Sequence, residues 1–223
     1  MNIIVATSKI KDGNMLISDD VVNRQIQSNR ISFLAKNKID IKQTTCVKIK
    51  YEGDNYRRYY EVSEAHKGNG MYYDDIIAAD ALVTRIANHA LFLPVADSVG
   101  TVIFDSNKNI LMLSHLGRHS LEQNGGFESV KFLIKHYDCN PNDLLVWLTP
   151  APSADTYPLF VFKGRSIKNT VIHQLQSAGI QSKNIDDNSA DTSKDCEYYS
   201  HSEFLKGNQT EDGRYAIVAM MQK

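Results

Sequence analysis

Cysteine is scarce and scattered: Cys46, Cys139 and Cys196 form no CxxC pair. Neither a disulfide framework nor a local thiolate zinc site is signalled, and a reducing compartment fits best. Charge of one sign is also lacking, with 25 Lys and Arg against 26 Asp and Glu. No whole-molecule field then exists to hold nucleic acid or an anionic membrane, and neither is expected as a partner. Long apolar runs are missing, and the opening Ile3-Ile4-Val5-Ala6 is too brief for a signal h-region or a membrane span. A soluble, cytoplasmic protein is expected. Five prolines and 12 glycines build no linker, repeat or low-complexity tract, and no GxGxxG or Walker loop is present.

What the chain does have is 223 residues with 42% hydrophobic content, enough for one large core, and a single domain over 1–223 is expected. The most polar stretch, 181–194, reads as a loop because a strong strand signal follows it. Short β-branched or aromatic runs predict strands at 3–6, 47–51, 59–62, 90–95, 102–104, 110–114, 144–148, 159–162 and 215–220. Most are continuously apolar, as strands covered on both faces are. Between two of them, Asp105-Ser106-Asn107-Lys108-Asn109 is a hairpin turn signal. Val22, Ile26, Ile31 and Leu34 predict a helix over 19–37, and Val130, Leu133, Ile134 and Tyr137 another over 128–137. A third spans 166–178 and stops at Gly179. Strands outnumber irregularly placed helices, so the fold class is α+β (mixed α/β), with a central mixed sheet or sheets flanked by helices.

Polar groups concentrate where the two strands around 90–95 and 110–114 end. If those strands lie side by side, Asp97, Ser98, His115, Arg118 and His119 converge at one sheet edge. Two readings of His115 stay open: a satisfied structural imidazole, or part of a site. The second gains weight from Ser114, Arg118, His119 and Ser120 around Gly117, since a glycine turn ringed by donors suits an anion better than a core. Arg118 likewise has two readings, a forked donor for phosphate or carboxylate and a structural partner of Asp97 or Asp105. Tyr198, Tyr199 and Phe204 are either core rings or a stacking surface for a base beside Ser200 and His201. The three cysteines are expected to be buried small hydrophobes.

Several segments, taken in order, carry a resemblance. Asp12-Gly13-Asn14-Met15 and Asn29-Arg30 are followed by Ala79-Asp80-Ala81-Leu82-Val83-Thr84, then by Pro94-Val95-Ala96-Asp97-Ser98 with Asp105, then by Ser114-His115-Leu116-Gly117. Asp191-Thr192, Tyr198-Tyr199-Ser200-His201 and Gly213-Arg214 close the series. In order and spacing the chain resembles the laccase-domain family, known as polyphenol oxidases and as purine nucleoside phosphorylases. The segments match its ADAxVT, TADCLPVxxxD, HAGW, CT, FFSYR and GR elements.

That resemblance implies a zinc held by a QVHG histidine, the TADC cysteine and the HAGW histidine. Here Ser98 stands at the cysteine position, Glu52 falls at the first histidine position, and His115 alone survives. A serine hydroxyl is a weak zinc ligand beside a thiolate, so Glu52, Ser98 and His115 form a degenerate set and no cofactor is expected. Arg118 and His119 follow the glycine, which turns an aromatic pocket cationic. If the family's phosphorylase activity is retained, the partners are a purine nucleoside and phosphate, in an enzyme of nucleoside metabolism. Arg118, with Arg30 or Arg214, would take the phosphate, helped by Ser98 and Ser120. Asp97 would face the ribose, His115 or His119 the base, and Ser200 and His201 its edge. The competing readings are a noncatalytic nucleoside- or anion-binding protein of the same fold and, third, a copper-dependent phenol oxidase. A monomer or weak homo-oligomer is expected.

Overall fold

The computed structural model describes residues 2–16 and 23–223. Its strands are β1 (Asn2–Thr7), β2 (Thr44–Lys48), β3 (Tyr59–Glu61), β4 (Ile77–Ala78), β5 (Ala81–Thr84), β6 (Ala90–Val95), β7 (Val99–Asp105), β8 (Ile110–Leu116), β9 (Leu145–Leu148), β10 (Ile185–Asp187) and β11 (Tyr215–Gln222). Its helices are α1 (Arg24–Lys36), α2 (Arg118–Glu122), α3 (Gly125–Tyr137), α4 (Ile167–Ser177) and α5 (His201–Leu205). The strands form two mixed sheets, one in the order β1, β11, β6, β2, β4 and the other in the order β10, β9, β7, β8, β5, β3. The class is mixed α+β, as the sequence predicts.

Side-chain alternation explains how the sheets stack. On β6 and β11, Leu91, Leu93, Tyr215, Ile217 and Ala219 meet Val102, Phe104, Leu111 and Leu113 of β7 and β8 in one core between the sheets. The intervening residues face outward into separate cores. Val99, Ile103, Ile110 and Met112 pack under α3 and α4 through Val130, Leu133, Val171 and Leu175. Ala90, Phe92, Ala216 and Val218 pack under α1 through Phe33 and Leu34. Both faces of the central strands are therefore buried, which is why their sequences are mostly apolar and do not alternate with polar residues.

The expected hairpin forms: β7 and β8 pair antiparallel from Val99↔Leu116 to Asp105↔Ile110. Asp105 Oδ1 accepts the backbone N–H groups of Asn107 and Lys108, fixing the turn. Chain passes from the first sheet to the second through Ala96, Asp97 and Ser98, where Asp97 takes a left-handed φ of 64°. That conformation costs an L-residue about 1–2 kcal/mol, offset here by the bonds its carboxylate makes.

Three expectations need correction. The strand at 47–51 begins and ends earlier, as Thr44–Lys48, because Tyr51 leaves the sheet. The run at 159–162 is not a strand: Leu159 is buried, Phe160–Phe162 makes a 3-10 turn, and Lys163 and Gly164 both take positive φ. Cys196 is exposed, whereas Cys46 and Cys139 are buried. The helix expected over 19–37 starts at Arg24 within the described residues, and its first part, including Val22, lies outside them. Asn23 caps it by accepting from the backbone N–H groups of Gln25 and Ile26. Among the described residues, no helix is long and apolar enough to cross a membrane.

Phe92 is fully buried, edge-on to Phe33 at 6.5 Å between ring centroids. Phe92→Ala is expected to lower the unfolding free energy by about 3–5 kcal/mol, read from urea denaturation. A loss below about 1 kcal/mol would contradict this packing.

Candidate functional site

The strands at 90–95 and 110–114 do not lie side by side, because β6 and β8 belong to different sheets; the β7–β8 register brings the polar strand ends together instead. Because Gly100 pairs with His115 and Val99 with Leu116, Ser98 at the start of one strand sits beside Gly117 at the end of the other. A Cβ on Gly117 would lie 2.8 Å from His115 Cε1 and 2.9 Å from Ser98 Oγ, so a side chain there would displace one of the two. Around this junction opens a cavity of about 420 Å³ whose walls include Tyr51, Tyr56, Asp97, Ser98, His115 and Arg118. His119, Ser120, Tyr157, His201 and Arg214 also line it.

His115 is buried at the cavity's base. Desolvation pushes its pKa down to about 4, although Asp80 works in the opposite direction. The imidazole is therefore neutral at pH 7, and neither ring nitrogen has a hydrogen-bond partner among the described residues. Tyr51 stands edge-on to it at 6.2 Å. Behind it, His119 lies flat on Tyr56, 4.9 Å between centroids with 16° between planes. The loop carrying these tyrosines is pinned by Arg58, whose Nε and Nη2 reach Asp80 at 2.8 and 3.0 Å. Tyr56 adds a bond from its hydroxyl to the carbonyl of Tyr51.

Arg118 is exposed at the rim and makes no hydrogen bond or ion pair among the described residues. The structural pairing open in the sequence is not formed. Asp105 is occupied by the hairpin turn. Asp97 accepts from Ser200 Oγ at 2.7 Å and from the Ser202 backbone N–H at 2.6 Å. Arg118 also borders a second hollow with Glu122, Tyr157, Phe160 and Val161, so its guanidinium stands free between two openings.

Other sequence-predicted residues are placed differently. Arg30 is buried away from the cavity, donating to the carbonyls of Gly70, Met15 and Leu16; its guanidinium holds loops and does not reach a phosphate there. Ser200 is buried beneath the wall, tied to Asp97 and capping α5. Ser120 lines the cavity, but its hydroxyl closes the turn, accepting from the Gly117 N–H and facing the carbonyls of His115 and Gly117. Arg214 lines it with Nη1 already donating to Asp212 and to the Gly213 carbonyl. Glu52 is exposed and absent from the walls; Tyr51, one residue earlier, faces His115 instead. Tyr198 and Tyr199 are core rings.

The zinc positions implied by the resemblance thus supply one imidazole and one hydroxyl, a donor set that does not fit zinc. Among the described residues, no group of three or more His, Cys, Asp or Glu is placed to hold a metal ion. The sequence reading missed Tyr51, Tyr56, Tyr157 and Asp212. None lies in the 96–98 or 114–120 clusters that mark the site, and the Tyr-rich 51–60 segment is a signal for Tyr51 and Tyr56 alone.

Comparison with known proteins agrees with this architecture. A family model described as multi-copper polyphenol oxidoreductase laccase matches residues 5–160. The YfiH protein of Bacillus licheniformis superposes with a TM-score of 0.84 at 17% identity, covering 99% of this chain and 93% of its own. YlmD from Geobacillus stearothermophilus gives 0.81 at 16% identity, covering 94% and 85%. The Neisseria meningitidis protein NMB0706 gives 0.71 at 14%, covering 94% and 86%. No curated protein matches the sequence.

Burial sets a pH dependence. His115 and the fully buried His89 both have pKa values lowered by desolvation from 6.5 to about 4. The unfolded chain binds protons at both positions more tightly, so their contribution is intact above pH 6.5 and is lost as pH falls toward 4. Urea denaturation is expected to show lower stability at pH 5 than at pH 7. Histidine NMR is expected to find His115 still neutral at pH 5.5, and titration at the ordinary value would contradict its burial.

Proposed function

Because the chain belongs to the multi-copper polyphenol oxidoreductase laccase family, and its cavity is cationic, ringed with aromatics and poor in metal donors, we propose that it cleaves purine nucleosides with phosphate and without a resident metal. The unpaired Arg118 at the rim carries this reading. A free guanidinium with a forked donor set selects a tetrahedral or planar oxyanion. The cavity, at about 420 Å³, lies in the range that small-molecule sites occupy. Tyr51 and Tyr157 offer aromatic surface to a base, while Tyr56 is taken up by His119.

In this reading a phosphate oxygen held by Arg118 attacks C1′ as the C1′–N9 bond breaks. The hydrogenphosphate proton ends on the purine, leaving ribose 1-phosphate. Positive charge on the ribose is faced by the Asp97 carboxylate, which lines the cavity and is kept in place by Ser200 and Ser202. The Ser98 hydroxyl, without a protein partner among the described residues, is available to a phosphate or ribose oxygen. The neutral His115 serves as a hydrogen-bonding group, not as a proton donor. Such chemistry rests on positioning and electrostatics.

A second reading is favoured by Ser98 and the exposed Glu52, where relatives by sequence pattern carry thiolate and imidazole: the cavity binds a nucleoside or anion without turnover. Copper-dependent phenol oxidation ranks behind both. The cavity's imidazoles do not converge, since His119 lies on Tyr56 and His201 is bonded to Asp212.

Purified protein is expected to release free base from inosine, guanosine or adenosine when phosphate is supplied. Arg118→Ala is expected to lower kcat/KM by about 10- to 100-fold, the worth of one or two charge-assisted hydrogen bonds. Saturable nucleoside binding without base release selects the second reading, and stoichiometric copper by metal analysis selects the third.

A further inference from the structure

His201 differs from the other two imidazoles of the cavity in having a carboxylate partner. Its Nδ1 lies 2.9 Å from Asp212 Oδ1, and the same oxygen receives Arg214 Nη1 at 2.6 Å. Burial works to raise the Asp212 carboxyl, but the bonds from Arg214 and His201 overcome it and hold the group below its ordinary range. An ionised carboxylate at Nδ1 requires that nitrogen to carry the proton. In the neutral ring Nε2 is then the acceptor, and on protonation it becomes a donor. Nε2 has no partner among the described residues, on a half-exposed ring that lines the cavity. His115 is desolvated and neutral, and His119 is stacked on Tyr56.

We infer that His201, oriented by Asp212, is the proton-exchanging group of the cavity and the one that meets the nucleobase. The inference rests on the phosphorolysis proposed above. As C1′–N9 breaks, the His201 imidazolium gives its Nε2 proton to the departing purine, and the proton that hydrogenphosphate loses on forming the C1′–O bond restores the imidazolium. Atoms and charge balance without a metal or a further reactant. Asp212 is a positioning residue, and it stabilises the cation that the ring must carry. Of the charged and titratable groups around it, Asp212 is bonded to the ring and Arg214 to Asp212; Asp97, Arg118, His115 and His119 line the same cavity, and Glu203 and Lys206 pair with each other at the end of the same helix.

The pairing was invisible in the motif that carried His201. Asp212 lies 11 residues further on, beyond the exposed end of α5. The two meet because the chain turns back before entering β11.

Three variants and one spectrum test this. With inosine and phosphate, His201→Gln is expected to lower kcat by about 100-fold or more while leaving the KM for phosphate near its original value. Asp212→Asn is expected to lower kcat about 10- to 100-fold and to move the pH at which activity is half lost. Asp212→Glu, which keeps the carboxylate, is expected to recover part of that loss. A His201→Gln protein with the kcat and pH profile of the unaltered chain overturns the inference and leaves phosphorolysis standing. If the unaltered chain releases no base from any purine nucleoside, phosphorolysis falls. Nitrogen-15 spectra of His201 then decide the rest: an Nδ1–H tautomer whose Nε2 resonance moves on adding inosine supports its place at the base, and an unmoved resonance or the opposite tautomer overturns it.

Discussion

Asp80 is almost wholly removed from solvent and receives Arg58 through two guanidinium nitrogens and through the Arg58 backbone N–H. Its own carbonyl accepts the N–H of His115. One residue thereby fixes the tyrosine loop on one side and the imidazole on the other. A buried carboxylate is tolerated only with partners of this quality. The distance between Tyr51 and His115, and so the width of the cavity, follows from how this pair is seated. Arg58 also reaches the Lys50 carbonyl at 2.6 Å, which brings the start of the loop into the same arrangement.

The opposite wall depends on Asp97 in a comparable way. Its left-handed backbone turns the chain from one sheet to the other, and its carboxylate collects Ser200 and Ser202. The C-terminal wall, with His201 and Arg214, is thus hung from the same corner that places Ser98. One wall of the cavity is therefore tied to the connection that carries the chain from one sheet to the other. Division of labour among these basic groups follows: Arg30 and Arg58 serve backbone and carboxylate, Arg214 serves Asp212, and Arg118 has no such partner among the described residues.

Much of the fold was legible because burial on both faces leaves an unmistakable mark. Val99–Asp105 and Ile110–Leu116 are buried throughout, with unbroken apolar runs at 102–104 and 110–113, and the turn between them is spelled in Asp, Ser and Asn. The failure at 159–162 has a physical cause: aromatic and β-branched residues suit a strand, but Pro158 before them and Gly164 after them close a turn that leaves Phe160 85% exposed. At the site, Asp97, Ser98, His115 and Arg118 were legible because they gather where apolar strands end, although it is β7 and not β6 that lies beside β8. Tyr51, Tyr56 and Asp212 were not, since they arrive from loops whose course is set by ion pairs and not by periodicity. Glu52 was misplaced for the same reason; a one-residue offset in an irregular loop decides which side chain faces inward.

The sheet order places β11 between β1 and β6. The first strand therefore finds its ladder partner in the last, with Asn2 opposite Gln222. During synthesis on the ribosome β1 must wait, edge unsatisfied, until β11 has been made. Such a topology delays closure of the sheet and lengthens the interval in which apolar surface is open to aggregation.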